Sequence, residues 1–194
     1  MSHTKKNRMM ISATGLAIIA ATAAACTSSP SASSSPPGKG GPTASTDAAQ
    51  VPSLLQTGIA QTSQQNWSAA TTTFDNVLAI DPTNVYANYD LGVIAQTNGN
   101  SAGAISYYNK ALAANTAYTP AMYNEAILLE STQPAQAIAV YQKVVSIDPK
   151  ASTAYLRMAL VQAEQGDTTD AKANDAKAVK IDSALSQYKL PAKK

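Results

Sequence analysis

Nucleophilic and metal chemistry would have to run on imidazoles and thiols, and this chain offers one of each, His3 and Cys26. An activated nucleophile needs a neighbouring base held by a third group, and a structural zinc site needs four ligands. A lone histidine and a lone cysteine assemble neither, and without a second cysteine the chain forms no internal disulfide. The carboxylates Asp81, Asp148 and Asp182 recur along the chain at a regular interval. That is a structural period rather than a converging general acid and base. Gly38-Lys39-Gly40-Gly41 has neither the spacing nor the preceding strand of a phosphate-binding loop. The expectation is a protein that is not an enzyme, with no catalytic residue, no metal and no cofactor.

Cys26 still has chemistry open to it, because of what stands before it. Lys5, Lys6 and Arg8 make a basic start. Met9 to Ala25 is apolar except at Ser12, Thr14, Gly15 and Thr22, and ends in Ala23-Ala24-Ala25. A basic region, a short apolar run and a small-residue cleavage zone describe a secretory signal peptide. The run is shorter than the roughly 20 residues that span a bilayer comfortably. A cysteine directly behind the small residues resembles the lipobox of bacterial lipoproteins, although Ala23 stands where that family prefers Leu. The resemblance implies cleavage after Ala25 and acylation of Cys26, anchoring the chain by lipid to the extracytoplasmic face of the membrane. Two other readings fit the same residues: an uncleaved signal anchor, and ordinary cleavage within the Ala-rich stretch that releases a soluble protein. All three take the chain out of the cytosol, and cleavage would remove His3.

Beyond the signal peptide (1–25), residues 26–50 hold Cys26 followed by a segment made almost entirely of Ser, Thr, Pro, Gly and Ala. Such a composition buries too little apolar surface to offset chain entropy, so a disordered linker is expected. As a flexible coil it would reach on the order of 25–30 Å. Without Lys5, Lys6 and Arg8, the 14 basic residues fall to 11 against 12 acidic ones, a net charge of −1. No basic patch recommends nucleic acid as a partner.

From Val51 to Leu185 the chain repeats itself about every 34 residues. Gly58, Gly92, Ala126 and Ala159 share one position, and Ala70, Ala104, Ala137 and Ala171 another. The copies close with Ile80-Asp81-Pro82, Ala114-Asn115-Thr116, Ile147-Asp148-Pro149 and Ile181-Asp182-Ser183. Small residues in two successive segments let two helices approach closely, and Pro after the second stops it. These residues and this spacing resemble the tetratricopeptide repeat (TPR). The resemblance implies an all-α, right-handed helical solenoid of four helix-turn-helix repeats, at 51–84, 85–118, 119–151 and 152–185, with a short C-terminal cap or tail over 186–194.

The pattern predicts helix pairs at Ser53–Gln64 and Ser68–Ile80, Tyr86–Thr97 and Ala102–Ala114, Ala121–Ser131 and Ala135–Ile147, and Thr153–Gln165 and Thr169–Ile181. Phe74, Tyr108 and Tyr141 fall at one position of the second helices and are expected to wedge between repeats as core. Asp175 occupies that position in the fourth copy, which fits a terminal repeat with nothing stacked on it.

The family binds segments of other proteins along an inner wall made by the first helix of each repeat. Carried over by position, that wall would consist of Leu55 and Ile59, Tyr86, Tyr89, Asp90 and Val93, Tyr123, Asn124 and Ile127, and Leu156, Arg157 and Leu160. Tyrosine supplies rigid apolar area and a hydroxyl, which suits peptide capture. The TPR subclass that grips C-terminal carboxylates wants Lys or Asn where this chain has Leu55, Ile59, Asp90 and Pro120, so that specificity is not expected. The functional expectation is a lipid-anchored scaffold that binds extended or helical segments of other proteins in a concave groove. Self-association of this chain and binding of cell-wall carbohydrate are the alternatives.

Overall fold

The computed structural model of the chain describes residues 47–191. Cys26, the expected signal peptide and nearly all of the expected linker lie outside the described residues. Within them are eight α-helices: α1 (Val51–Ser63), α2 (Trp67–Ile80), α3 (Val85–Thr97), α4 (Ser101–Ala114), α5 (Thr119–Leu129), α6 (Pro134–Ile147), α7 (Ser152–Glu164) and α8 (Thr168–Ile181). A single 3-10 turn follows at Ser183–Gln187. Together they form four consecutive helix-turn-helix repeats stacked as an all-α solenoid.

Most helices begin one or two residues ahead of the sequence pattern, and capping groups account for the starts. The side chains of Asn66, Asn84, Asn100 and Asp167 accept from the backbone N–H of Ala69 (3.3 Å), Ala87 (3.0 Å), Gly103 (2.9 Å) and Asp170 (3.2 Å). Each such cap is worth about 1 kcal/mol. In the third copy prolines in the first turn, Pro120 and Pro134, do this work instead. The turn between paired helices passes through a left-handed residue in three copies, Gln65, Gly99 and Gly166. The shorter third copy ends α5 early, at Leu129, and has no such residue. The recurrent Asp and Asn after each second helix fold the chain into the next repeat: Asp81, Asn115, Asp148 and Asp182 accept from the N–H two residues on, at 2.9–3.1 Å. Their periodicity is that of a turn.

Packing follows the small-residue positions. Ala70, Ala104, Ala137 and Ala171 have no exposed surface. Phe74, Tyr108 and Tyr141 are likewise fully enclosed, but each lies against the small residue of its own first helix, so the rings fill the space within a repeat rather than wedging between repeats as expected. Gly58 and Gly92 show how tight this is: a Cβ there would stand 2.6 Å from the Phe74 ring and 2.5 Å from the Tyr108 ring. A polar bond between the paired helices closes every repeat. Thr73 donates to Gln61 (2.8 Å), Tyr108 to Gln96 (2.7 Å), Tyr141 to Glu130 (2.7 Å) and Asn174 to Gln162 (2.8 Å). In the fourth copy Asp175 leaves the ring position unfilled, and a cleft of about 650 Å³ opens there, bordered by Val179, Tyr188 and Leu190. The chain then turns back, burying Leu185 against Leu156 and Ala178 as an end cap.

The Ala positions test this register. Ala104→Leu overpacks the contact between α3 and α4 and should lower stability by about 1–3 kcal/mol. Ala102→Leu, on the exposed side of α4, should change it by less than about 0.5 kcal/mol. Urea unfolding of the two variants separates them, and equal losses would contradict the packing described.

Candidate inner-wall site

Successive first helices touch one another, α1 with α3 and α3 with α5, to an extent no pair of second helices reaches. The first helices thus make one row of the stack, and the twelve residues expected on an inner wall all belong to these helices. They do not share one exposure, because a helix in this row must also pack on its partner and its neighbours.

Tyr86 and Ile59 are open, with 48% and 42% of their surface exposed. Leu55, Asp90, Ile127, Arg157 and Leu160 are half-buried. Tyr89, Val93, Tyr123, Asn124 and Leu156 are buried, which corrects their expected place on an open contact surface. For the two tyrosines the cause is the ring position of the second helix, and Leu156 is covered by Ala178 and Leu185 instead. Tyr89 leans on Tyr108 with centroids 6.0 Å apart, and Tyr123 meets Tyr141 edge-on at 5.6 Å. Each fills the space between its own helix pair. The Asn124 amide donates to the Tyr89 hydroxyl at 3.3 Å, tying α5 to α3. Arg157 is committed as well: its Nε donates to Glu130 Oε1 at 2.7 Å and its Nη2 pairs with Glu130 Oε2. It is the one ion pair among the described residues, so the cation expected to read a ligand is already neutralised.

Two participants escaped the sequence pattern. Tyr118, the last residue of its repeat, packs edge-on against Tyr89 at 5.4 Å and against Tyr86 at 5.9 Å. Tyr86, Tyr118, Tyr89 and Tyr108 thus form a continuous run of rings from solvent into the core. Glu130, at the end of α5, holds both Tyr141 and Arg157. A tyrosine-rich stretch signals the first only in general terms, and the second requires knowing which residue of the next repeat lies opposite.

Asp90 sits one helical turn beyond Tyr86, so the two share a face of α3. Burial pushes its carboxyl up to about 7. Burial also raises the phenols of Tyr89, Tyr108 and Tyr118, and the Asp90 charge adds to the shift in all three. Among the described residues no cation pairs with Asp90. No group of three or more His, Cys, Asp or Glu among them is gathered as a metal would require. No helix among them is long and apolar enough to cross a membrane. What the wall offers is apolar and aromatic area with one uncompensated carboxylate.

Residues 55–119 and 128–173 each match a tetratricopeptide-repeat family model, together more than half of the chain. No curated protein matches the sequence. Among solved structures, the fold is similar to MamA, at 26% identity over 74% of this chain and 85% of that one, with a TM-score of 0.64. It is similar to pilF of Pseudomonas aeruginosa at 20% identity over 73% and 66%, with a TM-score of 0.65. It is also similar to YrrB, described as a TPR protein with an unusual peptide-binding site, at 19% identity over 73% and 74%, with a TM-score of 0.60. With its four stacked helix pairs, its enclosed small-residue positions and these matches, the chain belongs to the tetratricopeptide-repeat proteins, whose fold is that of a protein-interaction scaffold.

Proposed function

We propose that the chain is a lipid-anchored, extracytoplasmic scaffold of the bacterial cell envelope that holds segments of other proteins along the inner wall of its solenoid and catalyses nothing. The observation that carries the binding half is the wall itself. Tyr86, Ile59, Leu55, Ile127 and Leu160 leave apolar area uncovered along one row of helices. Apolar and aromatic anchors on a rigid concave support are what a bound segment buries first. The anchoring half rests on the sequence: a basic start, an apolar run, three alanines and then Cys26. Two or three acyl chains on one residue hold where a single chain binds only marginally.

Fractionation of cells followed by capture of associated proteins tests both halves. Cys26→Ser should move the protein from the membrane fraction into soluble or unprocessed forms. Tyr86→Ala with Ile127→Ala should leave it in the membrane, folded by circular dichroism, but reduce partner capture about tenfold, or about 1.4 kcal/mol. Retention of Cys26→Ser in the membrane at mature size would refute the anchor. Undiminished capture by the folded double variant would move the binding surface off this wall.

A further inference from the structure

Asp90 is the feature of the inner wall that the scaffold reading leaves without a role. The first helices carry a single basic residue, Arg157, and Glu130 occupies it. Asp90 has no such counterpart; burial alone sets its carboxyl, with no cation contributing. An unpaired carboxyl in such a place relieves its desolvation by holding a proton, and a cation beside it would instead stabilise the ionised form. One turn away, half of the Tyr86 surface is open, with Tyr118 behind it. A carboxylate bordered by tyrosine rings is suited to an ammonium or guanidinium, which gains the ion pair and the attraction of the ring faces together. An anionic or purely apolar group at that point would keep Asp90 protonated and gain no ion pair.

We propose that Asp90, with Tyr86 one turn away on the same helix face, is the specificity-determining point of the inner wall and takes a Lys or Arg side chain of the bound protein segment. This rests on the wall being the binding surface, and deepens it from a generic groove to one that reads a positive charge. It also separates this wall from the carboxylate-gripping kind, since the charge preference is reversed. The incoming cation favours the ionised form of Asp90, so the ligand itself charges the site.

A phage-displayed library of random 12-residue peptides, selected on the intact chain, tests the assignment. The expected outcome is enrichment of Lys or Arg at one register position. That enrichment should vanish on Asp90→Asn, an isosteric change that removes the ionisable group and leaves the fold intact. With one selected peptide, replacing its basic residue by Met should weaken binding about tenfold. Asp90→Asn should do the same, and the two together should weaken it no further than either alone. Tyr86→Ala, at a half-open position and checked for folding by circular dichroism, should weaken the basic peptide more than its Met counterpart. Peptides selected without a basic position, or additive losses, would overturn the role of Asp90 while leaving the groove standing. No peptide selected above background would overturn the groove and the role of Asp90 with it. Self-association of the chain that Asp90→Asn abolishes would give the face to a second copy and overturn the assignment.

Discussion

Glu130→Ala should lower stability by about 3 kcal/mol, a loss large enough to see as a clear fall in the urea midpoint. Glu130 accepts the Tyr141 hydroxyl and both donors of Arg157, and its side chain and that of Arg157 retain only 20% and 14% of their exposure. Burial lifts the Glu130 carboxyl above its ordinary value even with Arg157 beside it, a sign of how much water the pair has given up. Removing the acid strands a guanidinium between the third and fourth repeats and orphans a buried phenol. Both penalties fall on the folded state. Glu130→Gln keeps an acceptor for Tyr141 and should recover part of the loss. Arg157→Ala combined with Glu130→Ala should cost less than the two single changes added together, since it strands no charge. A loss below about 1 kcal/mol for Glu130→Ala would mean the pair behaves as a solvated surface contact.

Tyr108→Ala should cost about 3–5 kcal/mol, because the ring has no exposed surface and its removal leaves a cavity between two helices that cannot close on it. Tyr108 also carries the bond to Gln96 and supports Tyr89. Tyr108→Phe isolates the hydroxyl and should cost about 1 kcal/mol. The neighbouring Tyr107 makes the internal control: it is only half-buried, with the Lys110 ammonium 5.1 Å from its ring centre. Tyr107→Ala should therefore lose no more than about 1 kcal/mol. Similar losses for the two tyrosines by thermal melting would show that the ring of Tyr108 is not the wedge of its repeat.

The contrast between those tyrosines marks where the sequence was readable. A feature that recurs in every copy declares its role by repetition, and so the ring and alanine positions, the turn acids and the helix pairs were all legible. Tyr89 and Tyr123 were not, although their position on the inner helix was. A residue there meets the ring of its own repeat and the helix of the next, and which contact wins depends on how large the facing residue is. Opposite Tyr108 and Tyr141 it is drawn inward. The Glu130–Arg157 pair was hidden for a different reason. It occurs once, joins residues 27 apart in the chain, and so has no period to betray it. Glu125, on α5, is half-buried, and the Lys143 charge counters the burial that raises its carboxyl.

The closing bonds within repeats, set against the single ionic tie between them, make this stack mechanically uneven. Each helix pair is a rigid plate, clamped by a hydrogen bond and, in the first three repeats, by a ring, while plates meet their neighbours through sparser contact. Bending therefore concentrates at the joints, as in a hinged strip rather than a uniform spring. The last joint is pinned by Arg157 and Glu130, whereas the joint between the first and second repeats, with no ion pair, is the more compliant. A guest lying along the wall would find the C-terminal half holding its curvature and the N-terminal half adjusting to meet it. Tension applied through the N-terminus would open the stack from that end, one plate at a time.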